Sequence, residues 1–381
     1  MRYLRSKRAP YAVPAVAVLA IAAGAMAPSV TGASSPPELP VISPAQLLAE
    51  AASAKAPQLT GTLSWTADLG LADLGTIQSD LGAGAGGANS AGFNPLTLVN
   101  GTYQINVWLD GSTAEHLSLS PQPGQEVDLV RNGDQAWYWD STTMKVSHLV
   151  GQGASGSAPA GSSVVGALTP QQLADRLLGH IGPTTSVAVP STVYIGGQRA
   201  YELLVTPKSA GGTTIAHIEV DIAADAPLTG TPLQVAVYAA GQASPALELG
   251  YTGIQPGPPA ASELTFSRPP GATEVTHYLG GPPSTAGGST GSAAGPTSPN
   301  GSAVKRLGSG WTTVVSGTTS VLSNPTYKTE LDAVTTVVDV GGQRGRLFTS
   351  ELVNVLVMPD GHYYAGFVTP AVLEADASSQ A

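Results

Sequence analysis

The chain has 381 residues, 42% of them apolar, which is enough for a sizeable core and excludes wholesale disorder. Charged residues make up only 11%, while 46 Gly and 31 Pro exceed average usage, so turns should be many and helices few. A net charge of −10 disfavours adhesion to nucleic acid or anionic headgroups, and the absence of cysteine excludes disulfides, thiolate metal sites, a cysteine nucleophile and a lipidated-cysteine anchor.

Residues 1–33 read as a signal peptide. Arg2, Arg5, Lys7 and Arg8 form a basic start, and Val13 to Ala27 is an apolar run broken only by Pro14 and Gly24. Cleavage is expected after Ala33 or after Ala27, although Pro28 argues against the latter; an uncleaved anchor is the alternative, for which the run is short. Removing the four basic residues takes the 16 to 12 against 26 acidic ones, a net of −14.

Ser43-Pro44-Ala45-Gln46 is a capping box with proline at the first helical position, predicting a helix from Pro44 to about Ala54 with Leu47, Leu48 and Ala51 on its apolar face. Gln58 to Asp68 then alternates, with Leu59, Leu63, Trp65 and Ala67 on one side. After a Gly/Ala-rich excursion over 70–100, alternation returns through Tyr103, Ile105, Val107 and Leu109, then Leu117 and Leu119, then Val127 and Leu129. Asn132-Gly133 predicts a two-residue type I′ hairpin, after which Trp137 and Trp139 share one face. Asp140 to Thr143 is a further turn before Met144 to His148, which completes a six-strand meander.

A second Gly/Ala/Ser loop, 151–166, precedes a helix starting at Thr169-Pro170, with Leu173, Leu177, Leu178 and Ile181 as its buried stripe. Alternating strands follow at 186–189, 193–195, 200–206, 215–222, 233–238 and 247–251, and the absence of any βαβ rhythm predicts an antiparallel sheet. Pro256 to Pro259 and Arg268-Pro269-Pro270 are read as closing a domain over 34–278, and 279–302 as a disordered Gly/Ser/Pro linker. Residues 303–381 form a small α+β unit: a strand at Trp311 to Val315, a helix start at Asn324-Pro325, a hairpin over Pro359-Asp360-Gly361, and a last helix from Thr369-Pro370.

Motifs for chemistry fail on context. Gly82 to Gly87 matches a dinucleotide-binding string without the strand and helix it needs, and Gly287 to Gly291 matches a serine nucleophile elbow inside the linker. The six histidines never fall at metal-pair spacing, and Asp221 and Asp225 near Glu219 fit an outer strand face better than a cation site. No catalytic residue, metal ligand or cofactor site is expected. What remains is apolar: Leu63, Trp65, Ile105, Val107, Leu117, Leu119, Trp137 and Trp139 on the concave side of a curved sheet, facing Leu47, Leu48, Leu173 and Leu177 of the helices. Each reads either as plain core or as the lining of a cavity for an acyl chain.

The helix into "QLTGTLSWTADLG", the alternating "TYQINVWLDG", the "VRNGDQAWYWDSTTMKVSH" hairpin, "TPQQLADRLL" and "GQRAYELLVTP" together resemble the LolA/RseB superfamily, and more narrowly actinobacterial LolA-like proteins described as lipoprotein-sorting. The resemblance covers about residues 40 to 278. It implies a mainly β, α+β fold: a curved, unclosed antiparallel barrel of about 10–12 strands covered by two main helices, plus the small C-terminal unit. It also implies an exported, non-enzymatic, monomeric carrier or sensor of lipid or lipoprotein acyl chains in the cell envelope. The alternative is an RseB/MucB-like regulator of an anti-sigma factor or other envelope protein, its C-terminal unit contacting a membrane-protein partner.

Overall fold

The computed structural model describes residues 36–71, 98–151, 169–178, 181–209, 211–278, 304–319 and 334–380. The signal segment, the string at 82–87, the loop over 152–168, His180, the linker 279–302 and the helix start at Asn324-Pro325 lie outside the described residues.

Helix α1 spans Pro44–Ser53, and its cap is the one the sequence implies: Ser43 Oγ accepts the backbone N–H of Gln46 at 3.2 Å. Strands β1 (Gln58–Asp68), β2 (Asn100–Asp110), β3 (Ala114–Leu119), β4 (Val127–Asn132), β5 (Gln135–Asp140) and β6 (Lys145–Val150) form the expected meander. Helix α2 (Pro170–Leu178) starts in the same manner as α1, Thr169 Oγ1 accepting Gln172 N–H at 3.3 Å. Then come β7 (Thr185–Ile195), β8 (Gln198–Pro207), β9 (Ile215–Ala223), β10 (Pro232–Ala239), β11 (Leu247–Pro256) and β12 (Thr273–Tyr278). The two short runs expected at 186–189 and 193–195 are one strand, β7, carried past Pro190 by a register shift between Ala188 and Ser191.

These twelve strands make one sheet in the order β12-β6-β5-β4-β3-β2-β1-β11-β10-β9-β8-β7, with β12 and β7 as unjoined edges. The sheet is strongly curved: Gly196, in the β7–β8 turn, stands against Ile254 and Tyr251 of β11, although β10 and β9 intervene in the ladder. The fold is therefore the mainly β, unclosed, helix-covered architecture expected.

Two expectations are corrected. The hairpin loop is Gly133-Asp134, because Asn132 pairs with Gln135, and Gly133 alone among these residues has a positive φ, 60°. Glycine at the first central position fits a type II′ turn, in which the second residue needs no left-handed conformation. The sheet is not wholly antiparallel either, since β12 runs parallel to β6. Between β11 and β12, residues 257–272 form a strap, with the proline segments at 256–259 and 268–270 near its ends, that delivers the chain to that edge.

A second sheet has six strands, in the order β13-β14-β18-β17-β16-β15: β13 (Lys305–Leu307), β14 (Val314–Thr318), β15 (Thr335–Val340), β16 (Gln343–Thr349), β17 (Asn354–Val357) and β18 (His362–Gly366). Helix α3 (Pro370–Gln380) covers it, and Val314, Leu347, Leu356, Tyr364 and Leu373 form its core. Trp311 belongs to a 3-10 turn, Gly310–Thr312, rather than to a strand. The unit is attached to the large sheet by main-chain bonds, Thr214 N–H to Phe367 O and Thr369 N–H to Gly212 O, both 3.0 Å, and Glu351 N–H to Leu69 O at 2.9 Å. Trp311 Nε1 also donates to Thr185 Oγ1 at 3.0 Å, and Leu352 is buried in the core of the large sheet.

Candidate functional site: the inner face of the large sheet

Directly opposed residues on neighbouring strands project to the same side, so the register sorts every residue of the large sheet onto one of two faces. One row runs Leu63, Ile105, Leu119, Val127; the next runs Val107, Leu117, Leu129, Tyr138. On the other side of β1 the same face continues through Trp65, Leu249, Val235, Val220 and Leu203. This is the inner face, lined almost wholly by apolar side chains.

Leu63, Trp65, Ile105, Val107, Leu117 and Leu119 come together in one buried cluster, against which Leu173 of α2 packs. Leu47 of α1 lies in the adjoining cluster with Leu203, Val205, Val220, Val235 and Val237, and Leu48, Leu173 and Leu177 pack against that one. Leu173 thus sits at the junction of the two clusters. The indole N–H of Trp65 is satisfied at close range, donating to Leu98 O at 2.8 Å. Tyr251, fully buried beside Leu63, has its pKa driven upward by burial, so the lining carries no charge from it at any ordinary pH.

Trp137 and Trp139 are not part of this lining. A two-residue loop pairs odd-numbered positions of β4 with even-numbered positions of β5, so Val127 and Leu129 share a face with Asp140 and Tyr138. The indoles stand on the outer face, opposite Val130 and Asp128. There the strap reaches Trp137. Trp137 stacks on His148 at 4.7 Å and on Phe266 at 5.8 Å, while Trp139 is only 3% exposed. Leu264 of the strap is buried, and its carbonyl accepts Asn132 Nδ2 at 3.3 Å. His116, stacked on Trp108, donates from Nδ1 to Glu263 O at 2.8 Å and faces Asp128 at an ion-pair distance of 3.6 Å. Burial pulls the His116 pKa down, but Asp128 and the Glu263 carbonyl outweigh it and the net shift is upward.

The sequence reading missed the lining from β8 to β11, namely Leu203, Val220, Val235 and Leu249, whose alternation was visible but was not joined to the site. It also missed a cavity of about 430 Å³ where the two sheets meet, lined by Pro183, Thr184, Lys208, Ser309, Trp311 and Thr312. Lys208 Nζ donates to Pro183 O there at 2.8 Å. Among the described residues no group of three or more His, Asp or Glu is placed to hold a metal ion.

Fold and lining together define a curved-sheet protein with a helix-covered apolar inner face. No family model and no curated protein matches the chain. Solved structures similar to it include the Pseudomonas aeruginosa MucA/MucB complex, at 15% identity over 87% of this chain and 95% of that one, TM-score 0.39. Another is a LolA superfamily protein from Nitrosomonas europaea, at 10% identity over 59% and 99%, TM-score 0.22. A third is a putative outer membrane lipoprotein-sorting protein domain from Vibrio parahaemolyticus, at 11% identity over 52% and 84%, TM-score 0.19. Those names belong to the two branches of the resemblance seen in the sequence. With TM-scores below 0.5, the likenesses give this chain neither a cargo nor a partner.

Proposed function

We propose that this chain is an exported, non-enzymatic binding protein that holds an acyl chain of a lipid or lipoprotein on the inner face of the large sheet, beneath α1 and α2. The continuous apolar lining beneath two short helices carries this reading. The helices are short, 10 and 9 residues, and they meet the sheet through a few leucines. Lifting Leu173, Leu177 and Leu178 off the sheet costs at most about 1.5–3 kcal/mol each, while each acyl methylene buried in their place returns ~0.8 kcal/mol. About ten methylenes therefore offset the opening of α2. The basic, then apolar, N-terminal stretch supports export, and the mainly apolar lining suits an acyl cargo.

The test is titration of solvent-extracted protein with a fluorescent fatty acid such as anthroyloxy-stearate. Saturable binding near one per chain, competed by palmitate, is expected; emission that rises linearly without saturation would contradict the proposal.

A second reading is a regulator that binds an envelope protein through its C-terminal unit. The main-chain docking of that unit on Gly212 to Thr214, beside the 430 Å³ cavity, favours it. Cross-linking from Trp311, replaced by a photoreactive residue in the native host, is expected to trap one membrane protein on this reading and none on the first.

A further inference from the structure

The outer face of β8 to β11 carries a group of carboxylates that the acyl-binding reading does not use. Glu202, Asp221, Gln234 and Gly250 are directly opposed on four neighbouring strands, and the next row on the same face contains Glu219, Ala236 and Glu248. Beyond it lie His217 and Tyr238, stacked at 4.2 Å. Glu202 accepts a hydrogen bond from Ser191 at 2.7 Å, and Glu219 accepts one from Tyr238 at 3.0 Å and lies 3.4 Å from His217 Nε2. The charged groups acting on Asp221 are Glu202, Glu219 and Glu248, with no lysine or arginine among them.

Asp221 is the centre of this face and is the group left incomplete. It is only 4% exposed, and its Oδ1 is buried with no hydrogen-bond partner. A buried acceptor without a donor carries the full cost of its lost hydration. Gln234, the neighbour with an amide to offer, instead fills the space that a Cβ on Gly250 would occupy. Among the described residues no group supplies that donor, which leaves the position for one from a partner. A metal ion is not the fit, since no group of three acidic or histidine side chains among the described residues is close enough to share one. The carboxylates lie in two rows two residues apart, which is ~6.6 Å along a strand and matches alternate side chains of an extended peptide. Nucleic acid and anionic lipid are repelled by a face of this sign.

We propose that the outer face of β8 to β11 is a docking surface for an extended Lys- or Arg-bearing segment of a partner protein, whose cation supplies the donor that Asp221 lacks. Burial and the three glutamates hold Asp221 protonated up to about pH 8, and burial with Glu219 raises Glu248 as well, so docking of a cation displaces a proton.

The experiment is calorimetric titration of the full chain at pH 7.5, in two buffers of different ionisation enthalpy, with an acetylated and amidated octapeptide of alternating Lys and Gly. Saturable binding with release of protons is expected. Glu202→Gln/Glu248→Gln should weaken it tenfold or more, and Asp221→Asn should bind without proton release, all with unchanged circular dichroism. Glu374→Gln/Asp376→Asn, on α3, should leave affinity unaltered. Absence of saturable binding, equal affinity in the Glu202/Glu248 variant, or an equal loss in the α3 variant, which would mark diffuse attraction, overturns the proposal.

Discussion

Trp137 stands directly opposite Val130 in the β4–β5 ladder, so its indole points away from Leu129 and Leu117 and lies under the strap rather than over the apolar lining. Trp65 of β1, opposite Tyr103 of β2, points the other way into the main cluster.

The two indoles should therefore report differently on a bound chain. With a doxyl-labelled fatty acid, whose nitroxide quenches on contact, fluorescence quenching should be largely lost in Trp65→Phe and retained in Trp137→Phe. Equal quenching in both variants would place the chain outside the inner face.

Leu203 is fully buried on the inner face of β8, within the cluster that α1 and α2 cover. Leu203→Ala should cost about 2–5 kcal/mol, the range for a buried leucine that leaves a cavity, seen as a lower urea midpoint. Leu48→Ala, on the partly covered face of α1, should cost less than half as much in the same measurement.

Asp221 gives the fold a pH dependence. Its folded pKa is about 8 against an ordinary 3.8, through burial and then through Glu202, Glu219 and Glu248. Between those values the folded state binds the proton and the unfolded chain does not, so this group's contribution to stability falls as pH rises from about 4 to about 8. Urea unfolding of Asp221→Asn should lose that part of the slope and be more stable than wild type at pH 8; an unchanged slope would show that Asp221 ionises freely in the fold.

Gly212 has φ 88° and meets Val372 and Thr312 of the C-terminal unit, so a side chain there strains the backbone and the contact together. Gly212→Val should raise hydrogen exchange at the Thr214 and Thr369 amides, whose bonds to Phe367 O and Gly212 O hold the unit in place, while β1 and β2 stay protected.

What the sequence revealed was local. Ser43 and Thr169 mark their helices because a capping side chain and the N–H it accepts are three residues apart, and β1 is bounded by its own alternation over Gln58 to Asp68. The facing of Trp137 was also legible: any two-residue loop forces the odd positions of one strand onto the face of the even positions of the next, which separates Trp137 and Trp139 from Leu117 and Leu129. What could not be read depends on distant partners. β12 pairs with β6 across more than a hundred residues of chain, and nothing in Thr273 to Tyr278 names that edge. Asp221 looked like an ordinary outer-face acid because its neighbours come from other strands: Glu202 and Gln234 stand directly opposite it, and Glu248 acts on it electrostatically.

The central claim, that the inner face beneath α1 and α2 holds an acyl chain, is tested most directly by native mass spectrometry of the protein purified from its own host without detergent. A discrete added mass, lost on solvent extraction and identified as an acyl lipid or acylated peptide, is the predicted result. A spectrum showing only the bare polypeptide, from protein that also fails to take up added fatty acid, would contradict it.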